Sequence, residues 1–66
     1  MKIEFNGETL ETPAGSTISD LLRQQNIDPQ RVAVEVNLQI APRQDHAQHV
    51  LQEGDSVEVV TFVGGG

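Results

Sequence analysis

Met1-Lys2-Ile3-Glu4-Phe5-Asn6-Gly7-Glu8-Thr9-Leu10-Glu11-Thr12 opens the chain, and its reading decides the fold class. Met1, Ile3 and Phe5 alternate with Lys2, Glu4 and Asn6, the period-two pattern of a strand with one buried face. Asn6-Gly7 follows, the pair best suited to a type I′ turn, which needs positive φ at both central residues. Thr9 to Thr12 then returns as an antiparallel strand, closed by Pro13-Ala14-Gly15. Thr17 comes next as a helix cap, with Asp20 at the third helical position, a capping box that uses Asp in place of the usual Glu. Ile18, Leu21 and Leu22 form one apolar stripe at i, i+3 and i+4. The residue before a proline is pushed out of the α region, so Asp28-Pro29 bars continuation. That predicts a helix of about ten residues ending near Asn26, with Ile27 packing after the turn. A helix this short is unstable alone and must lie on a sheet.

Working outward, Val32, Val34 and Val36 alternate with Ala33, Glu35 and Asn37 in a third strand. Asn37-Leu38-Gln39 reads as a turn and Ile40-Ala41 as a very short strand, stopped by Pro42, which suits a sheet edge. Arg43 to His49 lacks a period and reads as a loop holding at most one helical turn, with Val50 and Leu51 over an end of the core. Glu53-Gly54-Asp55 turns the chain into a last strand, Ser56 to Val63. There Val57, Val59 and Thr61 share one face, and Glu58, Val60 and Phe62 the other. The order β-β-α-β-β-β predicts an α+β fold, a mixed sheet of about four to five strands packed on one helix. It is expected to form a single domain over residues 1–63, followed by a flexible glycine tail at 64–66.

Composition sets the outer limits. At 66 residues the chain is one domain at most. Such a chain buries only about 60% of the surface its unfolded form exposes, which leaves no room for a deep catalytic cleft. The absence of cysteine excludes a disulfide framework, a thiolate metal site and a thiol nucleophile. Four basic residues against ten acidic ones give a net charge of −6. That balance speaks against nucleic-acid binding, which wants a basic stripe; it suits docking on a basic partner surface, and solubility alone accounts for it equally well. No apolar run approaches the ~20 residues of a membrane helix and no charged-then-apolar leader marks export, so the expected location is cytoplasmic.

Gly64-Gly65-Gly66 is the most informative feature. Bare glycines can follow an extended path through a narrow tunnel and would deliver one reactive group, the α-carboxylate. A carboxylate is a poor electrophile until a partner converts it to an acyl-adenylate. On the glycines alone, a frayed end without function fits as well. Val60 and Phe62, on the face opposite Val57 and Val59, read as an apolar docking patch beside that end. His46 and His49 lie three residues apart with only Asp45 near them, so both are expected to face solvent rather than hold a metal. Glu53 and Asp55 flank a turn glycine and are expected to face water. No Ser-His-Asp arrangement, phosphate loop or zinc signature is present.

Val34-Glu35-Val36-Asn37, Ile40-Ala41-Pro42-Arg43 and Gly54-Asp55-Ser56-Val57-Glu58-Val59, leading into Phe62-Val63-Gly64-Gly65-Gly66, carry a further signal. In order and spacing they resemble the ThiS family of sulfur carriers, ubiquitin-like β-grasp proteins of thiamin thiazole biosynthesis. The resemblance spans essentially the whole chain, and the short length suits that family better than its longer MoaD relatives. Members often carry a tryptophan shortly after the Pro-Arg pair, where this chain has His46. The resemblance implies that a ThiF-like enzyme adenylates Gly66 with ATP and Mg²⁺. A persulfide sulfur donor then displaces AMP to leave a C-terminal thiocarboxylate, and a ThiG-like thiazole synthase takes the sulfur. Gly66 is thereby implied as the modified residue, and Gly65, Gly64, Phe62, Val60 and Glu58 as partner contacts. The chain itself would bind no cofactor or metal and would be a co-substrate, not an enzyme. The alternatives are a MoaD-like carrier for molybdopterin or another metabolite, a ubiquitin-like protein modifier, and a plain interaction domain.

Overall fold

The structure, a computed structural model, describes residues 1–62. β1 (Lys2–Phe5) and β2 (Glu8–Glu11) form the expected hairpin, with Ile3 opposite Leu10. Asn6 and Gly7 both take positive φ, 51° and 86°, as a type I′ turn requires. β3 (Val32–Val36) and β4 (Gln39–Ala41) form a second hairpin, and β5 (Ser56–Thr61) lies between the two. The sheet order is β2-β1-β5-β3-β4, with β1 and β5 parallel and the other neighbours antiparallel. One helix, α1 (Ile18–Gln24), packs on one face, which is the ubiquitin-like β-grasp arrangement. The expected strand end at Val63 and the tail at residues 64–66 lie outside the described residues.

Register explains the core. Val34 faces Val59 and Val36 faces Val57, so the even positions of β3 and the odd positions of β5 point together toward the helix. Ile3, Val34, Val57, Ile18, Leu21, Leu22 and Leu51 are the most deeply buried large side chains. Seven helical residues are too few to persist alone. Burying Ile18, Leu21 and Leu22 contributes about 1.5–3 kcal/mol each and holds the helix on the sheet.

The helix ends near Asn26 and Ile27 packs against the core, both as expected, but it runs seven residues instead of about ten, and proline is not what ends it. Asn26 enters the left-handed region at φ 58°, which lets the Ile27 N–H reach back to the Leu22 carbonyl at 2.9 Å. That six-to-one bond is the signature of a Schellman cap, with asparagine where glycine is usual. Asp28-Pro29 then starts something instead of only stopping it. The Asp28 carboxylate accepts from the Gln30 N–H at 2.9 Å and opens a 3₁₀ turn at Pro29–Arg31.

At the other end of α1 every backbone donor of the first turn is satisfied. The Thr17 hydroxyl accepts from the Asp20 N–H (3.1 Å), and the Asp20 carboxylate accepts from the Thr17 N–H (3.0 Å). The Ile18 and Ser19 N–H groups donate to the carbonyls of His49 and His46, both at 3.1 Å. The loop after β4 is therefore stitched onto the start of the helix, and the Leu51 N–H bonds the Ser16 carbonyl at 2.8 Å. The backbone bond from Thr17, followed by its hydroxyl bond, holds the Asp20 carboxyl below its ordinary value of 3.8.

That stitching corrects one expectation. His46 does not face solvent. It follows a 3₁₀ turn at Arg43–Asp45, its side chain is 3% exposed, and Nε2 lies 2.8 Å from the Ala41 carbonyl oxygen. Because a carbonyl only accepts, the ring hydrogen is assigned to Nε2. Nδ1 is buried with no partner among the described residues. Val50, expected over the core, is 46% exposed, while its neighbour Leu51 is 2% exposed.

Candidate functional site

The sheet face opposite α1 is uncovered among the described residues. Cross-strand pairs place Ala33 beside Val60 and Glu35 beside Glu58, and β4 adds Ile40 beside Glu35. Val60 is 58% exposed, Phe62 57% and Ile40 75%. Exposed apolar side chains gathered on one face mark an interaction surface more readily than scattered ones. Glu35 and Glu58 sit directly opposite each other inside this patch, an arrangement that costs stability in the free protein. Facing basic groups would offset that repulsion.

Phe62 continues the line of β5, its N–H donating to the Arg31 carbonyl at 2.9 Å. An open groove of about 390 Å³ runs beside it, bordered by Phe62, Ile40, Pro42, Arg43, His46 and Gln30. The stretch of β5 that leads to this point is braced along both edges. The Asn6 side-chain carbonyl accepts from the Val59 N–H (2.8 Å), beyond the end of the β1 ladder. The Asn37 side-chain carbonyl accepts from the Ser56 N–H (2.9 Å), and its amide donates to Asp55 (3.0 Å). Both asparagines hold positive φ in hairpin turns, so one residue type sets the turn and clamps the neighbouring strand.

Of the residues singled out from sequence, Val60, Phe62 and Glu58 fall together on the open face, while Gly64, Gly65 and Gly66 lie outside the described residues. Glu35 and Ile40 share that face and Arg43 lines its groove, although from sequence they count only as carriers of the resemblance and not as site residues. The signal was available for Ile40, since counting Asn37-Leu38 as a two-residue turn sets Ile40 opposite Glu35. Glu53 and Asp55 serve the backbone. Glu53 accepts from the Lys2 N–H (3.1 Å), and Asp55, half-buried, accepts from the Gln52 N–H (2.8 Å). Among the described residues no cluster of three or more histidine or carboxylate groups could hold a metal ion. No helix of the described residues is long and apolar enough to cross a membrane.

The sequence model of the ThiS family matches residues 3–66. A thiazole synthase of Paramagnetospirillum magneticum is 42% identical over 66 residues, and the chain spans 20% of that relative's length. The sulfur carrier protein ThiS of Escherichia coli is 36% identical, with the whole of both chains covered. The crystal structure of the thiamine biosynthesis protein ThiS from Geobacter metallireducens is 26% identical, covers both chains fully and superposes with a TM-score of 0.87. Matched from residue 3 to residue 66 and folded as that solved protein is, the chain belongs to the ThiS family.

Proposed function

We propose that this chain is a cytoplasmic sulfur carrier for the thiamin thiazole ring, a protein co-substrate whose reacting group is the carboxylate of Gly66. The observation that carries the reading is the full-length match to a sulfur carrier ThiS, joined to the position of the last strand. β5 is the central strand, braced on both edges, and it leads past exposed Phe62 toward three terminal glycines. A carrier needs a rigid base, a docking face and a slim reactive arm. The chemistry asked of Gly66 suits a chain without cysteine, because the sulfur rides on the main-chain carboxyl carbon.

In this reading a ThiF-like enzyme, using ATP and Mg²⁺, lets a carboxylate oxygen of Gly66 attack the α-phosphorus, and pyrophosphate leaves. A persulfide sulfur attacks the acyl-adenylate and expels AMP, and a thiol cleaves the remaining S–S bond to free the thiocarboxylate. A ThiG-like synthase then takes the sulfur. The segment similar to this chain within a thiazole synthase supports that client. Gly65 and Gly64 thread the partner's tunnel, while Phe62, Val60 and Glu58 contact its surface. Incubation with the adenylating enzyme, ATP, Mg²⁺ and a persulfide donor should raise the intact mass by the difference between sulfur and oxygen, located at Gly66. An unchanged mass, or sulfur found elsewhere in the chain, would refute the proposal.

A further inference from the structure

We propose that the tip of the β3–β4 hairpin is a second anchor of the docking face, with Leu38 seated in an apolar pocket of the thiazole synthase. The proposal rests on the sulfur-carrier reading above. It begins from a turn that the chain makes twice. At Asn6-Gly7 φ is 51° and 86°, and the second residue is glycine. At Asn37-Leu38 φ is 53° and 69°, and the second residue is leucine. A bulky L-residue at positive φ is a steric outlier, and such strain persists where function holds it in place.

Nothing in the fold asks for leucine there. The turn is fixed by Asn37, whose side chain bonds Ser56 and Asp55, while Leu38 is 84% exposed. Gly7 shows that this protein uses the unstrained residue when only the turn matters. Ile40, 75% exposed, lies two residues along and faces Glu35, which joins the tip to the open sheet face. Val36 pairs with Val57 at the hairpin end, and Val32 with Thr61 at the Phe62 end. Four residue steps of extended chain separate the two ends, about 13 Å. Anchors that far apart fix the orientation of a docked partner and not only its affinity, which is what aiming a narrow arm at a reaction centre requires.

The occupant follows from two observations. A segment 42% identical to this chain over its full length occurs within a Paramagnetospirillum magneticum thiazole synthase, so a domain of this kind is joined to such an enzyme there. Glu35 and Glu58 lie between the anchors, and they call for basic groups around the partner's apolar pocket.

The test measures Leu38→Asn and Leu38→Met against the wild type, with a ThiG-like thiazole synthase and a ThiF-like adenylating enzyme each produced separately. Asparagine suits the left-handed turn and removes the apolar anchor. Its melting temperature should rise by about 4 °C, while its affinity for the synthase falls at least about fivefold through faster dissociation. Methionine keeps the anchor and should bind within about twofold of wild type. Synthase binding by Leu38→Asn as tight as wild type would overturn the proposal, as would a melting temperature that does not rise. Weakened binding to the adenylating enzyme alone would also overturn it, because the occupant would be wrong. A wild type that binds the synthase but takes no sulfur at Gly66 would instead defeat the carrier reading, and this proposal with it.

Discussion

Replacing His46 tests quantitatively the loop stitched onto the start of α1. A 66-residue domain has about 3–10 kcal/mol of total stability, so one buried ring is a large share of it. His46→Ala deletes the Nε2–H donor to Ala41, a loss of about 1–3 kcal/mol when a buried acceptor is left behind. Emptying the ring's volume adds about 2 kcal/mol more, because the walls relax only in part. The carbonyls of His46 and His49 also cap the start of α1, so slack in this loop spreads to the helix. We expect a fall of about 3–5 kcal/mol, visible in urea titration as a midpoint shifted far toward zero denaturant. His46→Phe separates the two contributions, since it keeps the ring and removes the donor. It also removes the unpartnered Nδ1, which offsets part of the loss, so about 1 kcal/mol is expected. Should His46→Ala lie within about 0.5 kcal/mol of wild type, the ring is neither packed nor bonded as described.

Four further outcomes follow from other parts of the molecule. Thr17→Ala should lower stability by about 1 kcal/mol through loss of half the capping box, read as a drop in melting temperature. Because the folded Asp20 carboxyl titrates below 3.8, its stabilisation is present above that pH and is lost as pH falls through the lower folded value. Asp20→Asn should flatten that acid limb, and parallel acid limbs for the two proteins would contradict the cap. Phe62→Ala should leave the fold within about 0.5 kcal/mol of wild type and speed dissociation from the adenylating enzyme about tenfold; association of either protein should slow with added salt. Deletion of Gly66 shortens the arm by roughly 3.5 Å, and Gly65→Val widens it. Either change should cost more than about 10²-fold in ATP–pyrophosphate exchange, with unchanged denaturation midpoints.

Elements with strict local chemistry were legible from sequence. Asn6-Gly7 specifies its turn by φ alone, and Thr17 with Asp20 specifies a helix start by reach alone. The alternation through Ser56 to Thr61 likewise sorts Val57 from Val60 without any knowledge of neighbours. What escaped depended on partners distant in sequence. Asn26 ends the helix because Ile27 can bond Leu22, and an asparagine there is a weaker signal than the proline three residues on. His46 sits in a polar segment, and polarity alone points such a residue to the surface. Its burial comes from bonds between that segment and a helix more than twenty positions earlier. Glu35 and Ile40 join the candidate face only once β3 is set between β4 and β5, and periodicity within a strand cannot order strands in a sheet.

The sheet order has a kinetic side. The two hairpins do not pair with each other, since β1 meets β3 only through β5, the last strand in the chain. Each hairpin can form early from local contacts, but the sheet closes only when β5 has been made and laid between them, a step that rests on contacts distant in sequence. Until then both inner edges are open and able to pair with the wrong partner. Phe62 therefore leaves the sheet at a fixed place only in a molecule whose folding is finished. The face that carries Val60 and Phe62 is therefore a late product of folding, absent from any copy in which β5 has not yet been laid between the hairpins.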